Sequence, residues 1–144
     1  MNDAANPPVV PNDDSIQADD FVYRRVKDGG NITVVLDKDG NRKASSAAFG
    51  DDEDGISVFL ESTLTVAHLE PAAVIMGFDG YVLARIQVGF IREIGIGVVR
   101  DPNPPDAKPM PCNVAHCLLK LPSVSMGAKH KLGQSLAGEA KLIG

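Results

Sequence analysis

The segment YVLARIQV (residues 81–88) decides the fold class, because its apolar residues alternate along the chain. Val82, Ala84, Ile86 and Val88 point to one side of an extended chain, and the residues between them point to the other side. A helix would instead place apolar residues three and four positions apart. The alternation therefore predicts a half-buried β-strand.

Other strand patterns lie on both sides of this segment. Stretches rich in β-branched and aromatic residues are FVYRRV (21–26), NITVVL (31–36), ISVFL (56–60), IGVVR (96–100) and NVAHCLLKL (113–121), with RKASSAAF (42–49) as a weaker candidate. Residues 113–121 are apolar on both faces apart from His116, which is typical of a central strand.

Helical patterns are short except at the C-terminal end. Residues 63–69 and 89–94 each suit one or two turns, and apolar residues at a spacing of four over 126–143 predict the longest helix. The sequence thus predicts an α+β fold. Its sheet is mixed or mostly antiparallel, with about six strands, and is accompanied by a C-terminal helix and one or two short helices.

The first 20 residues differ in composition from the rest of the chain. They contain three prolines and five Asp but no Lys or Arg, and they have few large apolar side chains. Such a segment buries too little surface to offset the entropy lost on ordering. Residues 1–20 are therefore predicted to be a disordered acidic tail, and residues 21–144 a single domain in which order begins near Phe21.

Charge and hydropathy exclude several classes of protein. The N-terminus lacks a secretory signal and the chain lacks an apolar run of about 18 residues, so we expect a cytoplasmic protein without membrane association. Residues 108–144 contain five Lys and one Glu, which is a mild basic bias rather than the dense stripe that binds phosphate backbones. We therefore do not expect nucleic acid as a partner.

His116 is the first candidate for a functional side chain. A histidine within an apolar strand needs a hydrogen-bond partner, because burying an unpaired polar group is costly. Asp101, Arg24 or Arg25 are the candidate partners. Either His116 is a satisfied structural histidine, or it acts as a general acid and base in a cleft.

Arg24 and Arg25 are the second candidate. As neighbours on a strand they face opposite sides of the sheet, so one of them points toward buried surface. A buried Arg requires a carboxylate or an anionic ligand. A small enzyme acting on a nucleotide or another phosphorylated compound would use Arg24 or Arg25 as anion clamp, Ser46 as orienting hydroxyl, and His116 with Asp101 as acid–base pair. These side chains would then have to line one pocket.

No cofactor or metal is predicted. Cys112, His116 and Cys117 have the spacing C-x3-H-C without a second cluster, whereas zinc sites need four ligands. In a strand, His116 and Cys117 would also point to opposite faces. The two cysteines are better explained as buried apolar residues. The chain contains neither a dinucleotide-binding glycine pattern nor a phosphate-binding loop.

Several short blocks carry a resemblance to known proteins. The blocks are YRRV (23–26), ASSAAF (44–49), ISV (56–58), VVRDP (98–102) and AH (115–116). In this order the chain resembles small bacterial proteins of unknown function that occur in genomic islands and mobile gene cassettes. The resemblance implies an accessory bacterial protein and assigns no catalytic role, and the acidic N-terminal tail departs from its pattern.

The function that the sequence favours is a non-enzymatic binding or interaction protein, which self-associates or binds a small ligand or a protein. No catalytic motif is complete, and apolar segments such as AAVIM (72–76) exceed what a small core covers. The alternative is the small enzyme described above. A weaker third hypothesis is nucleic-acid binding through the Lys-bearing C-terminal segment.

Overall fold

The computed structural model describes residues 10–50, 55–104 and 107–143, and its main feature is an antiparallel six-stranded sheet. The strands are β1 (Phe21–Lys27), β2 (Val34–Leu36), β3 (Arg42–Ala44), β4 (Ile56–Leu60), β5 (Tyr81–Gln87), β6 (Gly97–Arg100), β7 (His116–Lys120) and β8 (Lys141–Ile143). The sheet has the order β6-β7-β4-β1-β5-β8, and β2 and β3 form a separate hairpin. This architecture confirms the predicted α+β fold.

Helices and short 3₁₀ segments cover the sheet. The helices are α1 (Glu61–Val66), α2 (Val88–Glu93) and α3 (Met126–Glu139), and the 3₁₀ helices are Ser46–Phe49, Pro71–Ile75 and Pro111–Ala115. Within the part of the chain that is described, none of the helices is both long and apolar enough to cross a membrane.

The two faces of the sheet bury separate apolar clusters. One face, called here the α3 face, buries Val22, Val58 and Ala84 against the C-terminal helix residues Leu136 and Ala137. The opposite face, called here the short-helix face, is covered by α1 and by two of the 3₁₀ helices. It buries Tyr23, Phe59, Leu83, Leu64 and Val74, among others.

Strand β5 confirms the predicted strand over residues 81–87, whereas Val88 begins α2 and the strand is not half-buried. Ile86 is 1% exposed on the α3 face, and Leu83 is only 2% exposed on the short-helix face. Leu83 lies opposite Arg25 of β1 in the antiparallel register and belongs to the apolar cluster on the short-helix face. Both faces of the strand are thus covered, because α1 and two 3₁₀ helices fold over the side predicted to face solvent.

The C-terminal segment forms a helix and then a strand, where the sequence predicted helix throughout. Helix α3 begins with Ser125, whose hydroxyl accepts a hydrogen bond from the Ala128 amide, and it ends at Glu139. Residues 141–143 then pair with β5, so that Leu142 lies opposite Ala84. A three-residue apolar segment has no period of its own, and the open edge of β5 decides its conformation.

Residues 10–20, called here the N-terminal strap, are folded against the domain, so the prediction of disorder is wrong for this range. Ile16 is 1% exposed and belongs to the cluster on the α3 face. The carbonyls of Asp20 and Ala18 accept from the first amides of α2, on Val88 and Gly89, at 2.9 and 2.8 Å. These amides have no partner within the helix, so the strap satisfies them. Residues 1–9 of the predicted tail lie outside the described residues.

Candidate functional site

His116 lies at the start of β7, buried on the short-helix face of the sheet. Its side chain is 7% exposed, and Nδ1 lies 2.9 Å from the Asp101 carbonyl oxygen and 3.3 Å from Asp101 Oδ2. The backbones of the two residues also pair, since the Asp101 amide donates to the His116 carbonyl at 2.9 Å. The edge of the imidazole packs on the Phe59 ring, with centroids 5.4 Å apart. The predicted partnership of His116 with Asp101 is therefore present.

Arg25 lies on the same face and is held between aromatic rings. Its guanidinium carbon is 4.5 Å from the Phe59 ring centroid and 4.1 Å from that of Phe78. Nε donates to the Val74 carbonyl at 2.5 Å, and one terminal nitrogen lies 3.7 Å from the Cys112 sulfur. Burial disfavours the charged guanidinium and therefore lowers the pKa of Arg25.

The surroundings of Arg25 differ from the prediction of a carboxylate partner, while the alternative of an anionic ligand stays a prediction. Among the described residues, two aromatic faces, a carbonyl and sulfur atoms surround the guanidinium, and no ion pair with a carboxylate is found. The electron-rich ring faces compensate the charge. The arginine thereby connects β1 to the 3₁₀ helices at Pro71–Ile75 and Pro111–Ala115.

Arg24 and Ser46 lie on the other side of the sheet. Arg24 follows the alternation of Val22 and Val26, and it donates to the carbonyls of Ala48 at 3.0 Å and Ser57 at 2.9 Å. Ser46 begins a 3₁₀ helix that packs on α3, where its carbonyl faces Gly133. It lines a shallow depression with Lys129 and His130.

The five predicted site residues therefore do not form one pocket. Arg25, His116 and Asp101 are brought to the short-helix face, where Phe59 lies between the arginine and the imidazole. Arg24 and Ser46 are placed on the α3 face. Arg24 and Ser46 are thus separated from His116 and Asp101 by the sheet. Arg25 shares the face of His116, but its guanidinium is held between two aromatic rings.

A polar network that the sequence analysis missed joins β1, α1 and β5. The Glu61 carboxylate accepts from the Tyr23 hydroxyl and from two nitrogens of Arg85, at 2.9 and 3.0 Å. Arg85 lies opposite Tyr23 in the β1–β5 register, and its guanidinium carbon lies 3.5 Å from the Phe21 ring centroid. The alternation of charged and aromatic residues in β1 and β5 could have indicated that Tyr23 and Arg85 are neighbours. Nothing local in the sequence indicated Glu61 as their shared partner.

The network shifts the pKa values of its members in the directions expected of a structural cluster. Burial, followed by the neighbouring Glu61, raises the pKa of Tyr23 to about 12. The hydrogen bond from Arg85 is the main cause of the lowered pKa of Glu61. At neutral pH the tyrosine is therefore protonated and the glutamate ionised. The cluster ties α1 to the sheet and leaves no group near its titration point.

The cysteines are not placed for nucleophilic or metal chemistry. Both are buried and reduced, with Cys117 on the α3 face and Cys112 on the short-helix face. Burial raises the pKa of Cys117 to about 12 and also raises that of Cys112, against the opposing effect of Arg25. Among the described residues, no three His, Cys, Asp or Glu side chains are grouped to hold a metal ion.

The outer edge of β6 is covered by the strap. The Asp13 amide donates to the Val98 carbonyl at 2.8 Å, and the Val98 amide donates to Asn12 Oδ1 at 3.1 Å. The strap therefore satisfies both backbone groups of Val98, as a neighbouring strand would. A Cβ atom on Gly97 would lie 1.8 Å from the Pro11 carbonyl oxygen, so this approach requires glycine.

The outer edge of β8 has no comparable hydrogen-bonded cover among the described residues. β8 pairs only with β5 in the sheet, and its backbone makes no hydrogen bond to any other described strand or loop. The β2–β3 hairpin lies against β8. Large apolar side chains are exposed in the turn before β2, on β2 and on β8, with Ile32 at 67%, Leu36 at 65% and Ile143 at 38%.

Comparison with known proteins adds no assignment. The chain matches no protein-family model, no curated protein and no solved structure.

Proposed function

We propose that this chain is a non-enzymatic interaction protein that self-associates. The observation that carries the proposal is the exposure of Leu36 on β2 and Ile143 on β8, two strands that both neighbour β3, together with that of Ile32 in the turn before β2. Exposed apolar residues that lie on adjoining elements mark contact surfaces more often than scattered ones do. Unpaired strand edges are likewise sites where chains associate.

The placement of the polar side chains supports the same proposal. Arg25 lies between two rings, and the Asp101 backbone pairs with both the imidazole and the carbonyl of His116. Arg24 donates to carbonyls on the opposite face. These groups have roles in holding short helices and strands together, which leaves an interaction surface as the simpler basis for function.

Sedimentation velocity tests the proposal. We expect the full chain to sediment as a dimer or larger species whose population rises with protein concentration. The association should persist at high salt, because apolar contacts are not screened as ion pairs are. A monomer at every concentration up to the millimolar range would refute self-association.

The alternative is a small enzyme that acts on a nucleotide or another phosphorylated compound. It is favoured by one observation, namely that His116, Asp101 and Arg25 share one face around Phe59. Titration with inorganic phosphate and with a nucleoside monophosphate, followed through the imidazole proton resonances, separates the two proposals. If the chain is only an interaction protein, the His116 resonances should show no saturable shift. His68, which is exposed, is the internal control for nonspecific effects of the added phosphate.

A further inference from the structure

We propose that the segment between β6 and β7 holds a binding site for a small, uncharged, planar molecule that carries a carboxamide or lactam group. A cavity of about 500 Å³, called here the loop cavity, lies on this segment. Its volume is within the range of about 300–1,000 Å³ that small-molecule sites occupy. The inference goes beyond the proposed self-association and does not depend on it.

Backbone hydrogen bonds hold the base of this segment. The Asp101 amide donates to the His116 carbonyl at 2.9 Å, and the Asn103 amide donates to the Asn113 carbonyl at 3.1 Å. Asn103 has a φ of +52°, which asparagine tolerates better than most residues do. Asn103 and Asn113, which both line the loop cavity, are therefore brought together by the backbone.

The walls of the loop cavity are apolar and stiff. They include the rings of Pro104, Pro109 and Pro111 and the side chain of Met110, whose sulfur lies 3.4 Å from a terminal nitrogen of Arg25. Because proline fixes φ, such walls lose little conformational entropy when a ligand binds. A planar ring suits them, since it buries a large apolar area with few rotatable bonds.

Asn113 supplies the polar group that a ligand would contact. The residue is only 5% exposed, and its Nδ2 donates to the Lys108 carbonyl at 3.0 Å. Among the described residues none donates to its Oδ1, and none of their side-chain nitrogen or oxygen atoms is both buried and unpaired. Oδ1 therefore remains accessible on a residue that lines the loop cavity. Closing the cavity with a ligand that brings no donor would leave this oxygen unpaired, which is costly.

The lining favours an uncharged amide over an ion. Of the described residues that line the loop cavity, none carries a charge. A carboxylate would place its oxygens beside Asn113 Oδ1, which is itself an acceptor, and an ammonium group would find no opposite charge in this lining. A carboxamide instead donates an N–H to Asn113 Oδ1, while its carbonyl accepts from the exposed Asn103 carboxamide.

Titration of the full chain with three probes of nearly the same shape tests this recognition. Benzamide has the donor and the acceptor, acetophenone has a methyl group in place of the NH₂ group, and benzoate carries a negative charge. The amide resonances of Asn103 and of residue 113 report binding. Benzamide should give a saturable shift, and the other two probes should bind about fivefold more weakly or worse. Asn113→Leu should bind benzamide and acetophenone equally, because leucine keeps the volume and lacks the acceptor.

Two substitutions of exposed residues test the location of the site. Ala107 is exposed and lines the loop cavity, so Ala107→Phe fills the cavity with a ring and should abolish the saturable shift. Val114→Phe is the matched control and should bind benzamide as the parent chain does. Val114 is 43% exposed on the 3₁₀ helix that carries Asn113, but it does not line the cavity.

The outcomes separate this inference from the proposed function. A preference for benzamide that Asn113→Leu removes and Ala107→Phe blocks supports the site. The absence of a saturable shift with all three probes, equal affinity of the parent chain for benzamide and acetophenone, or unchanged binding by Ala107→Phe overturns it. A parent chain that is monomeric but binds benzamide refutes only self-association. Circular dichroism checks the fold of each variant, and if Asn113→Leu does not fold, the three probes on the parent chain and Ala107→Phe decide.

Discussion

The two edges of the sheet meet the same physical requirement in different ways. At β6, the strap supplies a backbone amide and an asparagine side chain to Val98, so the edge is completed within the chain. At β8, none of the described strands pairs beyond β5, and β3 of the hairpin lies against β8 without joining the sheet. Unpaired edges tend to recruit other chains. The difference shows that one end of the sheet is completed by hydrogen bonds from the strap, whereas the other ends in a strand that β3 contacts without pairing.

Closure at β6 depends on three kinds of contact. Gly97 lets the Pro11 carbonyl approach the strand, and Ile16 anchors the strap in the core. Arg92 of α2 then donates to Asn12 Oδ1 at 3.0 Å and to the carbonyls of Ile16 and Asp13, both at 2.8 Å. The strap is thereby fixed to a helix as well as to a strand.

The largest expected effect comes from closing the space that Pro11 uses. Gly97→Ala places a methyl group where the Pro11 carbonyl lies, so either the strap leaves β6 or the strand shifts. We expect a loss of about 3 kcal/mol in the free energy of unfolding, typical of a severe overpacking. Urea unfolding measures the loss, and hydrogen exchange at Asp13 and Val98 locates it.

Gly138→Ala is the matched control for this substitution. Gly138 is exposed on α3, and nothing lies within 4 Å of the position that a methyl group would take there. The alanine should leave stability unchanged or raise it by up to about 1 kcal/mol, since it favours the helix. If Gly97→Ala proved as stable as the parent and kept the Asp13 amide protected, the closed edge would not depend on this glycine.

A smaller effect is expected from removing the arginine that holds the strap. Arg92→Met keeps the aliphatic stem but deletes the donors to Asn12, Asp13 and Ile16, and it should cost about 2 kcal/mol. Thermal and urea unfolding measure this loss. Arg42→Met provides the comparison, because its partner Asp28 is a surface residue and such pairs contribute less than about 1 kcal/mol. Equal losses in the two variants would contradict the assigned role of Arg92.

The smallest effect is a dependence of the β6 edge on pH. Hydrogen bonds from the Ser15 hydroxyl and amide, and then the Arg100 guanidinium at 3.2 Å, hold the pKa of Asp13 below its usual value. Because the folded-state pKa is depressed, the contribution of Asp13 is present above the unfolded-state pKa and is lost as the pH falls through the folded one.

Hydrogen exchange at Val98 measures this change. Its protection, corrected for intrinsic exchange, should begin to fall below about pH 4, the usual range for aspartate. Asp13→Asn should remove that pH dependence while retaining the backbone hydrogen bond to Val98. An unchanged pH profile in the Asp13→Asn chain would show that another group causes the loosening.

The elements that the sequence predicted well are those whose pattern is local. Residues 56–60 and 81–87 form strands because alternation and β-branched residues are properties of neighbouring positions. The burial of His116 and its need for a partner also followed from sequence, whereas the structure selected Asp101 from the three candidates that the sequence left open.

The candidate site was predicted only in part, because several contacts join residues that are far apart in the chain. Arg25 is surrounded by Phe59, Phe78 and Cys112, which no spacing relates to it. Glu61 joins Tyr23 across 38 positions. The separation of Ser46 from His116 likewise depends on which face of the sheet receives each short helix.

The sequence by itself determined that this chain forms an α+β fold with an interior apolar strand at His116–Lys120, although it extended that strand over residues 113–115, which form a 3₁₀ helix. The strand could be predicted because periodicity and burial cost act along a continuous segment. The tertiary structure alone decided that residues 10–20 pack onto β6 and that residues 141–143 form the outer strand beyond β5. Both outcomes depend on what an unpaired strand edge finds beside it, and neither the strap nor β8 has enough local preference to choose its conformation without that edge.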